Sequence, residues 1–193
     1  MAQSFQSYKN HFLVAARPEG SRSEFFDGSV VYIGEHTPKG ALGFVINRPA
    51  AKEAEDAVKS ILTDGEPQRA RFSVFAGGPV EPGRVFVLHR PKEFYASSVT
   101  FGENTMMTTD KDAVLEIAGK KDPKDFFALC GYSGWFPGQL EKEIEAPDFW
   151  LVGRADESIL FDVPPEKRRG AVLSMMGITE DELNQWNGSG ACA

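Results

Sequence analysis

A chain of 193 residues is long enough for one domain with a substantial core and short for two. Its 41% hydrophobic and 25% charged residues are those of an ordinary globular protein, and no apolar run approaches the roughly 20 residues needed to cross a bilayer. A net charge of −7 withholds the basic surface on which nucleic-acid binding depends, so direct DNA binding is not expected.

Residues 1–9 are polar and lack the apolar stretch of a secretory signal, which predicts a loose segment over 1–10 and a cytoplasmic protein. His11-Phe12-Leu13-Val14-Ala15 predicts a strand. Val30-Val31-Tyr32-Ile33 is apolar on both faces, as a strand covered from both sides must be. Leu42, Phe44 and Ile46 alternate with Gly43, Val45 and Asn47, and the link His36-Thr37-Pro38-Lys39-Gly40 carries both turn-makers. The two strands therefore form an antiparallel hairpin with His36 at the start of its loop. Pro49 ends the second strand. Ala54, Ala57, Val58, Ile61 and Leu62 recur at helical spacing and predict a helix over 51–62, left through Asp64-Gly65-Glu66-Pro67.

Residues 72–76 and 84–89 predict another strand pair, joined through Gly77-Gly78-Pro79-Val80-Glu81-Pro82-Gly83. Short strands are expected over 98–101 and 105–108, and Asp110 is placed to cap a helix carrying Val114, Leu115 and Ala118. Residues 126–130 predict a strand that breaks into a turn at Gly131-Tyr132-Ser133-Gly134-Trp135 before a helix over 137–145 led by Pro137. A strand follows over 149–152. Pro165 suits the first turn of a helix running to Met176 and ended by Gly177, and Thr179 and Glu182 have capping-box spacing. Residues 187–193 read as a loose tail, leaving 11–186 as one domain. Strand pairs outnumber strand-helix-strand units, which predicts an α+β fold, a mixed and mostly antiparallel sheet with helices packed around it. Cys130, in the apolar run, reads as a small buried hydrophobe. With Cys192 in the tail it makes neither a metal motif nor a disulfide framework.

Several blocks together resemble the YqgE/AlgH family of bacterial proteins. They are Ser29-Val30-Val31-Tyr32-Ile33 with Glu35-His36, Gly40-Ala41-Leu42-Gly43, Asn47-Arg48-Pro49, Gly77-Gly78-Pro79-Val80 and Val87-Leu88-His89. Asn104-Thr105, Thr108-Thr109, Gly131-Tyr132, Trp135, Gly138-Gln139-Leu140-Glu141, Glu143-Ile144, Trp150-Leu151 and Ile159-Leu160-Phe161 continue the series. The resemblance spans roughly residues 11 to 178 and implies a domain built around a curled mixed sheet. It implies no particular reaction. Some members carry the label of transcriptional regulator, yet no helix-turn-helix signature is legible in this chain. Three positions depart from the family pattern: Gly34 stands where Cys is frequent, Ser133 where Ala is common, and Arg169 where Trp often follows Arg168.

The junction at 131–139 is the leading candidate site. Its glycines and aromatics suit recognition. Free N–H groups at Gly138, Gln139 and Leu140 favour a small anionic or polar ligand, against which Glu141 and Glu143 act. Gly77 and Gly78 suit a positive-φ turn or a close approach to another backbone. The predicted pocket thus comprises Gly77, Gly78, Gly131, Tyr132, Trp135, Gly138 and Gln139. Gly131 to Trp135 has the context of a nucleophile elbow, but Trp135 replaces its last glycine and no histidine is tied to Ser133. Glu35 and His36 point to opposite faces of a strand and no metal-ligand spacing accompanies them, so no metal site is predicted. Neither dinucleotide nor P-loop spacing is present, and no cofactor is expected.

Arg48 lies at the opposite end of the hairpin from His36, where Asp27 is a partner. His89 reads as a polar anchor, Lys167-Arg168-Arg169 as a solvated basic face, and Met175 and Met176 as core filling. The balance favours a non-catalytic domain that binds a small molecule or a protein partner, its oligomeric state unspecified. The alternative is an enzyme of unrecognised type, for example a hydrolase, with its pocket at the 131–139 turn.

Overall fold

A computed structural model describes residues 5–16, 24–63, 65, 71–91, 97–120, 124–146 and 149–189. Asp64, Glu66, Pro67 and Cys192 lie outside the described residues. Strand β1 (His11–Ala15) shows why the chain builds in layers. Phe12 and Val14 enter one apolar cluster, Leu13 and Ala15 another on the opposite face, and all four are buried. Such a strand needs cover on both sides. Strand β2 (Val30–Thr37) pairs with β1 and, through a tight turn, with β3 (Gly40–Val45), Thr37 facing Gly40. The predicted hairpin is present. However, β2 runs on through His36, which therefore sits in a buried strand position and not in the loop. An irregularity at Gly34 shifts the register between Ile33 and Glu35.

Strand β8 (Phe126–Trp135) is flanked on both edges. On one side β5 (Val80–His89) runs antiparallel to it. On the other, β4 (Val74–Ala76) lies parallel to its first half and β3 antiparallel to its second, with Val74 opposite Ala128 and Gly43 opposite Ser133. With β6 (Val99–Thr100), β7 (Met106–Thr108) and β9 (Trp150–Arg154) the sheet reads β6-β7-β5-β8-β3-β2-β1-β9. A short glycine-proline link between two strands suggests a hairpin, yet β4 and β5 do not pair: β8 lies between them. The link crosses β8 at close quarters. A Cβ on Gly77 would lie 2.5 Å from the Gly131 carbonyl oxygen, and one on Gly78 2.0 Å from the carbonyl carbon of Tyr132. Only bare backbone can make that crossing. The glycines at 131 and 134 likewise do not form the predicted turn. Gly131 takes φ 70° and kinks a strand that continues to Trp135.

Helices α1 (Lys52–Leu62) and α2 (Lys111–Lys120) cover the β4-β5-β8 half of one face, through Val58, Leu62, Val114 and Ile117. Asp110 caps α2 as predicted, its Oδ1 accepting the Ala113 N–H at 2.9 Å. Cys130 is buried in this layer, where burial pushes its thiol pKa up. Helix α3 (Gln139–Glu145) covers the β1-β2-β3 half. The opposite face curls around α4 (Glu157–Phe161), α5 (Pro165–Met175) and α6 (Glu180–Ser189). The capping box forms: Thr179 N–H donates to Glu182 Oε2 at 2.8 Å and Glu182 N–H to Thr179 Oγ1 at 3.2 Å. Residues 187–189, read as tail, belong to α6. Met175, read as core, is 42% exposed. Among the described residues no helix is long and apolar enough to cross a membrane.

Arg168 corrects the reading of 167–169 as a solvated face. It is buried, stacked between the rings of Phe75 and Phe127 with its guanidinium carbon 5.0 and 5.3 Å from their centroids. It donates to the Val163 carbonyl at 3.0 Å, to Leu160 at 2.6 Å and to Ile46. One planar fork thereby ties the end of α4, the start of α5 and the chain beyond β3. Burial pushes its pKa down to about 10, which still leaves it charged at neutral pH. Arg168→Met should cost ~3 kcal/mol or more in urea unfolding, because three carbonyls lose their donor together. Arg168→Lys should recover little of this, since an ammonium cannot reach all three.

Candidate ligand pocket

The chain leaves β8 at Trp135, exposes Phe136, turns through Gly138 at φ 72° and enters α3. The Phe136 N–H donates to Gln139 Oε1 at 3.1 Å. Gln139 and Glu143, one helical turn apart, share a face of α3, and Gln139 Nε2 donates to Glu143 Oε1 at 2.9 Å. The other carboxylate oxygen, Oε2, accepts the indole N–H of Trp135 at 2.8 Å and of Trp150 at 3.0 Å. One acid thus joins α3 to the end of β8 and the start of β9. Beneath it opens a cleft of about 740 Å³, walled by Trp135, Trp150, Phe26 and Phe149 and bordered by Lys142 and Pro79.

Of the predicted pocket residues, Trp135 and Gln139 line this cleft. Gly138 caps the start of α3 and does not line the cleft. Gly77, Gly78 and Gly131 form the backbone crossing, with close approach as their role. Tyr132 packs against Phe86 at 5.8 Å in the cluster on the far side of the sheet from Trp135, so those two rings do not share a pocket. The sequence did not mark Trp150, Phe149 or Phe26. Gln139 and Glu143, four apart on a helix, were the local signal for the acid's role. Ser133 is buried, its hydroxyl donating to the Gly77 carbonyl at 3.4 Å, in a strand and not an elbow. Helix α3 has only seven residues, and the Gln139 N–H is taken by the Phe136 carbonyl at 3.0 Å.

The histidines are accounted for elsewhere. His89 is buried; its Nδ1–H donates to the Arg90 carbonyl at 3.0 Å, which leaves Nε2 to accept from Ser98 Oγ at 2.9 Å. Arg48 donates to the Asp27 carbonyl at 2.9 Å, a backbone oxygen where the sequence suggested the acid. His36 is covered by residues 5–8, the segment predicted to be loose. Its ring lies 4.9 Å from that of Phe5 and stacks on Tyr8 at 5.6 Å, and Nδ1 accepts the Tyr8 N–H at 2.9 Å. Nε2 lies 3.3 Å from Glu141 Oε1, without hydrogen-bond alignment. Among the described residues no group of three or more His, Cys, Asp or Glu side chains is placed to hold a metal ion.

A model of the AlgH-like family matches residues 12–181. This chain belongs to the AlgH-like family. Its relatives include a UPF0301 protein of Pseudoalteromonas translucida, 40% identical over 181 residues and covering 93% of this chain and 96% of the relative. A UPF0301 protein of Bordetella petrii is 42% identical over 174 residues, covering 89% and 84%. The solution structure of the AlgH protein from Pseudomonas aeruginosa matches with a TM-score of 0.74 at 36% identity, over 95% of this chain and 97% of that one. A Corynebacterium diphtheriae protein at 22% identity shares the fold, with a TM-score of 0.64 over 90% and 89% of the two chains. The α+β architecture of this AlgH-like chain is thus that of its family. At Gly34, where the resemblance leads one to look for Cys, the ring of Phe101 fills the space: a Cβ there would lie 1.9 Å from the ring.

Glu143→Ala should destabilise this AlgH-like domain by ~1–3 kcal/mol, because two largely buried indole N–H groups lose their acceptor. Urea unfolding followed by tryptophan emission reads both the stability and the changed surroundings of the indoles. Burial holds His36 below its ordinary value of 6.5, against the opposing pull of Glu141. As pH falls below about 6.5 the unfolded chain takes up the proton first, so stability present above that pH is lost towards the folded-state value. A protonated Nδ1 also cannot accept from Tyr8. Thermal melts between about pH 7.5 and pH 5 should show a fall that is smaller in His36→Gln, with a lower protection factor for the Tyr8 amide in wild type at the acid end.

Proposed function

We propose that this chain is a non-catalytic binding domain of the cytosol, with the aromatic cleft beneath α3 as its ligand site. The engagement of Glu143 carries the reading. The acid of the cleft is held by three N–H donors, which fixes its position and occupies most of its acceptor sites. Its walls are apolar rings suited to holding a flat or apolar body. Among the described residues no serine, cysteine or histidine lines the cleft: Ser133 is sealed against Gly77, and His36 is sealed beneath Phe5 and Tyr8. A regulatory role, as in the label some family members carry, would then act through ligand occupancy or a protein partner and not through direct contact with DNA, given the net charge of −7.

The test is a screen of aromatic fragments followed by the indole N–H resonances of the labelled protein. Hits should move the Trp135 and Trp150 signals together, and a fluorophosphonate probe should leave the protein unmodified. Labelling of Ser133, or fragments that bind without moving either indole, would overturn the reading.

A further inference from the structure

We propose that the cleft beneath α3 takes an organic cation, an ammonium group carried on an apolar or aromatic body; the inference rests on that cleft being the ligand site. Its basis is the uncompensated charge of Glu143. The three groups bonded to this carboxylate, two indoles and one amide, are all neutral. Among the described residues no lysine or arginine forms an ion pair with it. Lys142, the next residue on α3, borders the cleft but is itself exposed to solvent.

A carboxylate has about four lone-pair positions. Trp135 and Trp150 occupy the two on Oε2, and Gln139 one of the two on Oε1, so one acceptor position remains for a ligand N–H. The surrounding walls present aromatic rings, whose negative faces attract cations and repel anions. Phe26 and Phe149 flank Trp150 with ring centroids 5.5 and 6.1 Å away, which gives a ligand body several rings to lie against. The net charge of −7 adds a weak long-range pull of the same sign. A carboxylate held in place by neutral donors inside an aromatic wall is positioned to recognise a positive charge.

The experiment compares three probes of one shape, benzylammonium, benzyl alcohol and benzoate, at constant ionic strength, reading the indole resonances of Trp135 and Trp150. Benzylammonium should bind at least about tenfold more tightly than the other two. Glu143→Gln should reduce its lead over benzyl alcohol to about threefold or less while leaving benzyl alcohol bound, and Lys142→Ala should leave its affinity unchanged or improved. Equal binding of the alcohol and the ammonium would overturn the cation and leave the cleft as the ligand site. A preference for benzoate would overturn it in favour of Lys142 as the reader. If none of the three moves the indole signals at millimolar concentration, both the cation and the site fall. Should Glu143→Gln fail to fold, the wild-type ranking of the three probes decides alone.

Discussion

Strand β8 is bonded along both edges and covered on both faces. Phe127 and Leu129 enter the cluster shared with α4, α5 and α6, while Phe126, Ala128 and Cys130 enter the one beneath α1 and α2. Its last residue, Trp135, belongs to a third cluster beneath α3. Three clusters therefore depend on one strand, which depends in turn on the passage of the 77–79 link over its backbone. Side chains at Gly77 or Gly78 would collide with β8 itself, and the neighbouring β5 would lose its route to the far edge. The same strand carries the first wall of the cleft out to the rim of the sheet.

The cleft is held by polar bonds as well as by apolar packing. Helix α3 is short, and helices of that length draw little stability from their own backbone. Leu140 gives it an apolar foot in the core, and Glu143 ties it to the tryptophans of two strands. On the other side of the molecule Arg168 ties elements together with the opposite sign of charge, donating only to backbone carbonyls. Both side chains bond only neutral partners among the described residues. Their burial separates them: Arg168 is buried between two phenyl rings, whereas Glu143 is half-buried at the cleft.

What was legible in the residues was whatever depends on near neighbours. The span of β1, the Asp110 cap and the Thr179–Glu182 box rest on short-range patterns, and each is present. The pairing of β4 with β5 was misread because its link has the composition of a hairpin turn, and nothing within 77–83 reports that a strand some fifty residues later will lie between. Gly131 and Gly134 misled in the same way, since a glycine serving a kinked strand and one serving a turn look alike. Helix α4 is five residues long, too short for a periodic signal. Two of the lining residues, Trp135 and Gln139, were visible because both sit in one local block. Trp150, Phe26 and Phe149 arrive from distant stretches, brought together by the β1–β9 pairing and the fold around it. Arg168 was read by its charge, when its burial depends on rings from β4 and β8.

The ring of Phe101 lies where any side chain at position 34 would have to go. Those two sites, far apart along the chain, therefore behave as a single volume that only one of them can occupy. Mutational drift through this region has a permitted order: the phenyl group must first give way to something small, leaving a tolerated void, before a methyl or thiol can appear on β2. The reverse order passes through an overfilled core, in which the ring must shift before a substituent at 34 fits.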